Sequence, residues 1–129
     1  VYKAGFASSQ AAYDEAVAGV FATLDQLEHR LTGDYLFGSR FTEADIRLFV
    51  TLIRFDAAYH GLFKTNLRRI ADYPRLSAYM TRVLRLPGVR ETVNLDHIKA
   101  GYYSIKALNP SGIVPVGPDH VIALLESVK

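Results

Sequence analysis

Tyr13, Val17, Val20, Leu24, Leu27 and Leu31 recur at alternating spacings of four and three. That spacing draws one apolar stripe down a helix of about six turns. Ser8 or Ser9 offers a cap for its start and Gly33 an end. A heptad-like stripe also suits a coiled-coil dimer, but the run is short, so a seam within an intramolecular bundle is expected.

The stretch "RFTEADIRLFVTLIRFDAAYHGLF" carries a sharper start signal. Thr42 can accept from the amide of Asp45 while the Asp45 carboxylate reaches back to the amide of Thr42, a capping box with Asp in place of Glu. Phe41 and Ile46 occupy the two staple positions. Ile46, Phe49, Val50, Ile53 and Ala57 then predict a broad apolar face on a central buried helix. A third helix starts in "DYPRLSAYMTRVLRL", where Pro74 suits the first helical position because its missing amide would be unpaired there. Its inner face comprises Leu76, Tyr79, Met80, Val83 and Leu84, and Pro87-Gly88 stops it. Shorter helices are expected near residues 89–94 and 96–103. Asn109-Pro110-Ser111-Gly112 reads as a turn, and Ile113 to Pro118 as an extended strap lying against something apolar, because Pro115 and Pro118 forbid a regular helix. The expected architecture is an all-α bundle with an extended tail.

The chain has 129 residues, half of them hydrophobic, and a mean hydropathy of +0.08, enough apolar material for one packed core. It has no cysteine, so it supplies neither a thiolate nucleophile nor a zinc–thiolate site. No apolar run approaches the roughly 20 residues that cross a bilayer, and the first residues do not read as a signal peptide; a cytoplasmic protein is expected. The start at Val1 rather than a methionine is expected of a chain cut from something longer.

The net charge is +2, but seven basic residues between Lys64 and Arg90 face the single acid Asp72 in that span. Such a run serves either as a footprint for an anionic partner or as a solvated face whose acidic partners lie elsewhere in the fold. No nucleic-acid motif accompanies it, and no nucleic-acid partner is expected. His29, His60, His97 and His120 are too scattered for a local metal site, and no metal is expected. His97 reads as a helix-surface or capping residue. Glycine-rich phosphate loops, His-Glu-x-x-His pairs and nucleophile elbows are all absent.

"FTEADIRLFVTLIRFD", "LRRIADYPRLSAYM" and above all "PGVRETVNLDHIKAGYYSIKALNPSGIVPVGP" together resemble the carboxy-terminal helical domain of the xi-class glutathione transferases, the glutathionyl-hydroquinone reductases. The likeness spans nearly the whole chain, so residues 1–129 are expected to be one such domain. The resemblance implies a parent enzyme with a preceding thioredoxin-like domain, absent from this chain, that binds glutathione and carries the catalytic cysteine. It implies a cycle of two thiol steps: a thiolate attacks the sulfur of a glutathionyl-hydroquinone, hydroquinone leaves, and a second glutathione resolves the mixed disulfide. It also implies a homodimer.

Under this resemblance the chain supplies no catalytic residue but a wall of the hydroquinone pocket, with Tyr2 and Tyr102 as substrate-binding residues and Tyr103 as the neighbouring candidate. A tyrosine suits that role because its hydroxyl exchanges hydrogen bonds with a substrate hydroxyl while its ring packs on the aromatic substrate. Where many family members carry a histidine just before the tyrosine pair and another shortly after it, this chain has Gly101 and Ile105. A stand-alone helical interaction module without catalysis is the rival reading.

Overall fold

The computed structural model describes residues 1–129 and contains helices, turns and loops but no strand. The elements run α1 (Tyr2–Gly5), α2 (Gln10–Arg30), α3 (Glu43–Arg54), a π-helical segment (Phe55–Tyr59), α4 (His60–Leu62), α5 (Pro74–Leu84), α6 (Leu95–Tyr103) and α7 (Asp119–Ser127). Short 3₁₀ turns at Ile70–Asp72 and Arg90–Thr92 precede α5 and α6.

Ser9 caps α2 by accepting from the amide of Ala12 at 3.2 Å. The helix ends at Arg30, three residues before the expected stop at Gly33. Gly33 instead lets the backbone of Gly38 come close, since a Cβ there would lie 3.2 Å from the Gly38 carbonyl oxygen. The stripe of α2 faces α1 and α5 within the same chain.

At the start of α3 the Thr42 amide donates to Asp45 Oδ2 at 2.9 Å, which forms the carboxylate half of the capping box, and the Asp45 amide reaches the Thr42 carbonyl at 3.0 Å. Asp45 does more than cap. It is fully buried and also accepts from the Leu36 amide at 3.0 Å and the Tyr79 hydroxyl at 2.8 Å, tying the 31–42 loop and α5 to the start of α3. Burial, and the negative charge of Asp45 beside it, push the Tyr79 pKa upward.

The inner face of α3 differs from the expected one. Phe49, Leu52 and Ile53 are buried, whereas Ile46 and Val50 are 50% and 41% exposed. Phe41 packs edge-on against Tyr35 rather than standing as a simple staple. The core joins these α3 residues to Phe21 and Leu24 of α2 and to Leu76, Tyr79, Met80, Val83 and Leu84, the inner face expected of α5.

Five of the seven basic residues find partners inside the fold. Arg68 pairs with Asp25, Arg69 with Asp72 and Arg82 with Asp34. The Arg75 guanidinium donates to the carbonyls of Glu28 and His29, and that of Arg90 to the carbonyls of Leu125 and Val93.

The strap is extended as expected, but its apolar side chains do not lie in the bundle: Ile113 and Val116 are 71% and 88% exposed. Polar bonds hold it instead. Lys99 of α6 is 5% exposed, and its ammonium donates to the carbonyls of Pro115, Val116 and Gly117 at 3.0, 3.0 and 3.1 Å. The strap is thereby fastened to the helix that carries Tyr102. Beyond it, α7 packs Val121 and Leu125 into the core, and His120 bonds the buried Asp56 at 2.8 Å. No helix is long and apolar enough to cross a membrane.

Candidate functional site

Tyr2 and Tyr102, one hundred residues apart in sequence, meet with their hydroxyl oxygens 2.9 Å apart. A third hydroxyl completes the group. Tyr59, at the end of the π-helical segment, lies 2.8 Å from the Tyr102 oxygen. Tyr102 is therefore the middle of a chain of three phenols.

The rings are fixed as firmly as the hydroxyls. Tyr59 stacks on Phe63 with centroids 5.2 Å apart and planes 5° apart, and meets Tyr102 edge-on at 5.2 Å and 89°. Tyr2 tilts against Phe63 at 5.0 Å. Helix α1 reaches this ring because Gly5 has no side chain: a Cβ there would lie 2.4 Å from Phe63 Cδ1. Such offset and edge-on pairs add to the burial of the rings themselves.

Tyr2 and Tyr102 form one side of an open pocket of about 430 Å³. Arg54 from the end of α3, His97, Ile98 and Gly101 on α6, and Ile105 just beyond its end complete it. Gly101 leaves open space, with nothing within 4 Å of where a Cβ would stand. The pocket thus has phenol hydroxyls and a guanidinium beside apolar side chains, a surface suited to a flat aromatic molecule bearing oxygen substituents. The hydrogen bond with Tyr102 raises the Tyr2 pKa, and burial raises that of Tyr59, so both remain protonated donors near neutral pH.

Tyr103 stays outside this chain. Its half-buried ring sets the hydroxyl over Gly61, 3.1 Å from where a Cβ would be, and burial raises its pKa. Three residues, two lining the pocket and one behind it, had no sequence signal that singled them out. Tyr59 looked like one more core aromatic, Arg54 like one more basic residue, and His97, whose amide is capped by Asn94 at 3.0 Å, like a helix-surface residue. No cluster of His, Cys, Asp or Glu is arranged to hold a metal.

Residues 10–82 match the family model "Glutathione S-transferase, C-terminal domain". The chain belongs to that family. Glutathione transferases of the xi class are what it resembles throughout. It is 59% identical over 120 residues to glutathionyl-hydroquinone reductase PcpF of Sphingobium chlorophenolicum, covering 92% of this chain and 38% of that protein. To glutathionyl-hydroquinone reductase YqjG of Escherichia coli K12 it is 52% identical, covering 92% and 37%. The solved glutathione-bound structure of YqjG superposes with a TM-score of 0.88, over 91% of this chain and 39% of that one. The xi transferase of Phanerochaete chrysosporium superposes at 0.89 with 49% identity, over 93% and 42%. The transferase domain described here therefore spans less than half the length of the curated relatives it matches.

Proposed function

We propose that this transferase domain is the substrate-pocket half of an enzyme that reduces glutathionyl-hydroquinones to hydroquinones with glutathione. The observation that carries the reading is the chain of three tyrosine hydroxyls ending in an open, mostly apolar pocket. The relatives' names favour it over a stand-alone interaction module.

In this reading a preceding thioredoxin-like domain binds glutathione and supplies the cysteine thiolate that this chain lacks. The thiolate bonds to the sulfur of the conjugate and the hydroquinone leaves; the thiolate of a second glutathione then bonds to the sulfur of the first, releasing oxidised glutathione and the cysteine thiolate. Tyr2 and Tyr102 bind the ring oxygen and the ring face, and Tyr59 orients Tyr102 from behind. Ile98, Gly101 and Ile105 set the room for ring substituents. The enzyme works as a homodimer in the cytoplasm, where glutathione is supplied.

The test is turnover of a glutathionyl-hydroquinone by the full-length protein and its Tyr102→Phe variant, which keeps the ring and removes the middle hydroxyl. Loss of a positioned hydroxyl should lower kcat/KM by roughly 10²-fold. Undiminished turnover by Tyr102→Phe would remove the tyrosine assignment, and a full-length protein without reductase activity would remove the function.

A further inference from the structure

The pocket face of α6 has a gap in it. Side chains four residues apart on a helix stand in line, so His97, Gly101 and Ile105 share one row and Ile98 and Tyr102 the next. The first row has a side chain at each end and none in the middle. A Cβ at Gly101 would meet nothing within 4 Å, so no other part of the fold fills the space.

Nothing in the backbone requires a glycine there. Gly38, Gly88 and Gly112 hold positive φ values of 77°, 84° and 72°, whereas Gly101 lies in regular helix near the end of α6. Gly5 is needed because a side chain would strike Phe63; Gly101 has no such neighbour. A glycine inside a helix also costs stability relative to alanine. What it provides here is room, and the room opens on the pocket.

The walls of the gap are apolar. Ile98 flanks it and Ile105 closes its far end, both packed against the core and only partly exposed; His97 stands exposed at the near end. Gly101 adds no free polar group of its own, since its carbonyl accepts from the Ser104 hydroxyl at 2.6 Å and its amide belongs to the helical ladder. Tyr102 is next to Gly101 on the same helix, so an aromatic ring packed on Tyr102 has the gap beside one of its edges.

We propose that the Gly101 gap selects hydroquinone conjugates that carry a branched alkyl group on the ring. This rests on the reductase reading above and names the substrate class within it. The alkyl group takes the place of the missing side chain, and its burial against Ile98 and Ile105 favours it over a hydrogen at the same ring position.

Turnover is measured on the glutathione conjugates of hydroquinone and of tert-butylhydroquinone, with the full-length protein and its Gly101→Ala and Gly101→Leu variants. The readout is the ratio of kcat/KM for the tert-butyl conjugate to that for the plain one. The wild type should favour the tert-butyl conjugate roughly 10-fold, and Gly101→Leu, whose side chain occupies the gap, should lower the ratio by about that factor or more. Gly101→Ala should fall between them and melt no lower than the wild type, because alanine suits the helix better; it carries the test if the leucine variant does not fold. A wild type without preference would overturn the proposal, as would a ratio left unchanged by the substitutions, since a helix that is merely disturbed lowers both rates alike. Calorimetric binding of the two free hydroquinones to the same proteins, under nitrogen, separates the two readings. Tighter binding of tert-butylhydroquinone that Gly101→Leu abolishes, without turnover of either conjugate, loses only the reductase reading. Turnover of both conjugates at equal kcat/KM loses only the alkyl site, and the absence of both turnover and binding preference overturns both.

Discussion

Replacing Lys99 with methionine keeps most of the buried side-chain volume and removes the ammonium that holds the strap to α6. Each hydrogen bond from a charged donor contributes about 1.5–3 kcal/mol, so three contribute roughly 4.5–9 kcal/mol. Two effects offset most of that. The variant no longer buries an ammonium, which relieves a penalty of several kcal/mol, and the freed carbonyls turn to water because the strap is exposed. A net loss of about 2–3 kcal/mol remains. In a domain of this size that lowers Tm by roughly 6–15 °C. Thermal denaturation measures it, and thermolysin, which cuts before Ile and Val, should nick the Ile113–Val116 segment faster in the variant. Lys99→Arg retains a charged donor and should keep most of the stability. A Lys99→Met protein melting within about 1 °C of wild type, with unchanged nicking, would show that the strap is held by something other than these three bonds.

Gly5→Ala would place a methyl 2.4 Å from the Phe63 ring, at the base of the tyrosine cluster; overpacking of this kind costs about 1–3 kcal/mol, and the near-ultraviolet circular dichroism of the tyrosines should change with it. Alkaline pH should destabilise the domain through Tyr59 and Tyr79, whose pKa values burial raises above the ordinary 10.0. The sign follows from linkage: both phenols stay protonated in the folded state after the unfolded chain has begun to ionise, so stability is full below about pH 10 and falls as pH rises above it. Urea unfolding between pH 8 and 11 should show this fall, with a shallower slope in Tyr79→Phe.

Most of the helical fold was legible because its signals are local. Pro74 at the first position of α5, the inner face of α5 and the Ser9 cap depend only on neighbours within a turn or two. The face of α3 was misjudged for a different reason. Its inward side, continued by the π-helical segment, includes the side chains of Asp45 and Asp56, both buried and bonded, Asp45 to two amides and the Tyr79 hydroxyl, Asp56 to the Ile70 and Ala71 amides and to His120. A reading that puts only apolar residues inside turns the helix by roughly 80° toward Ile46 and Val50, at 100° per residue. The strap shows the same effect, since a lysine stem and ammonium do what an apolar contact was expected to do. Helix α7 went unnoticed although Val121 and Leu125 stand one turn apart. Within the candidate site, family resemblance pointed to Tyr2 and Tyr102, which the fold brings together, whereas Tyr59 and Arg54 are brought to them by packing across 43 or more residues, which no local pattern encodes.

Tyr102 makes both of the bonds and Tyr2 and Tyr59 one each, and a double-mutant cycle can read that inequality. Tyr59→Phe removes one of the two bonds and leaves the one between Tyr102 and Tyr2; the loss should be about 0.5–1.5 kcal/mol. Tyr102→Phe removes both bonds and takes from the buried Tyr59 hydroxyl its 2.8 Å partner. An unsatisfied buried donor adds about 1–3 kcal/mol, so this single substitution should be the more damaging. Adding Tyr59→Phe to Tyr102→Phe then removes the stranded group, and the double variant should be more stable than Tyr102→Phe alone. Urea midpoints at unchanged m-value provide the three numbers. If Tyr102→Phe is no worse than Tyr59→Phe, or if the two losses simply add, Tyr102 is not the hydroxyl that the other two share.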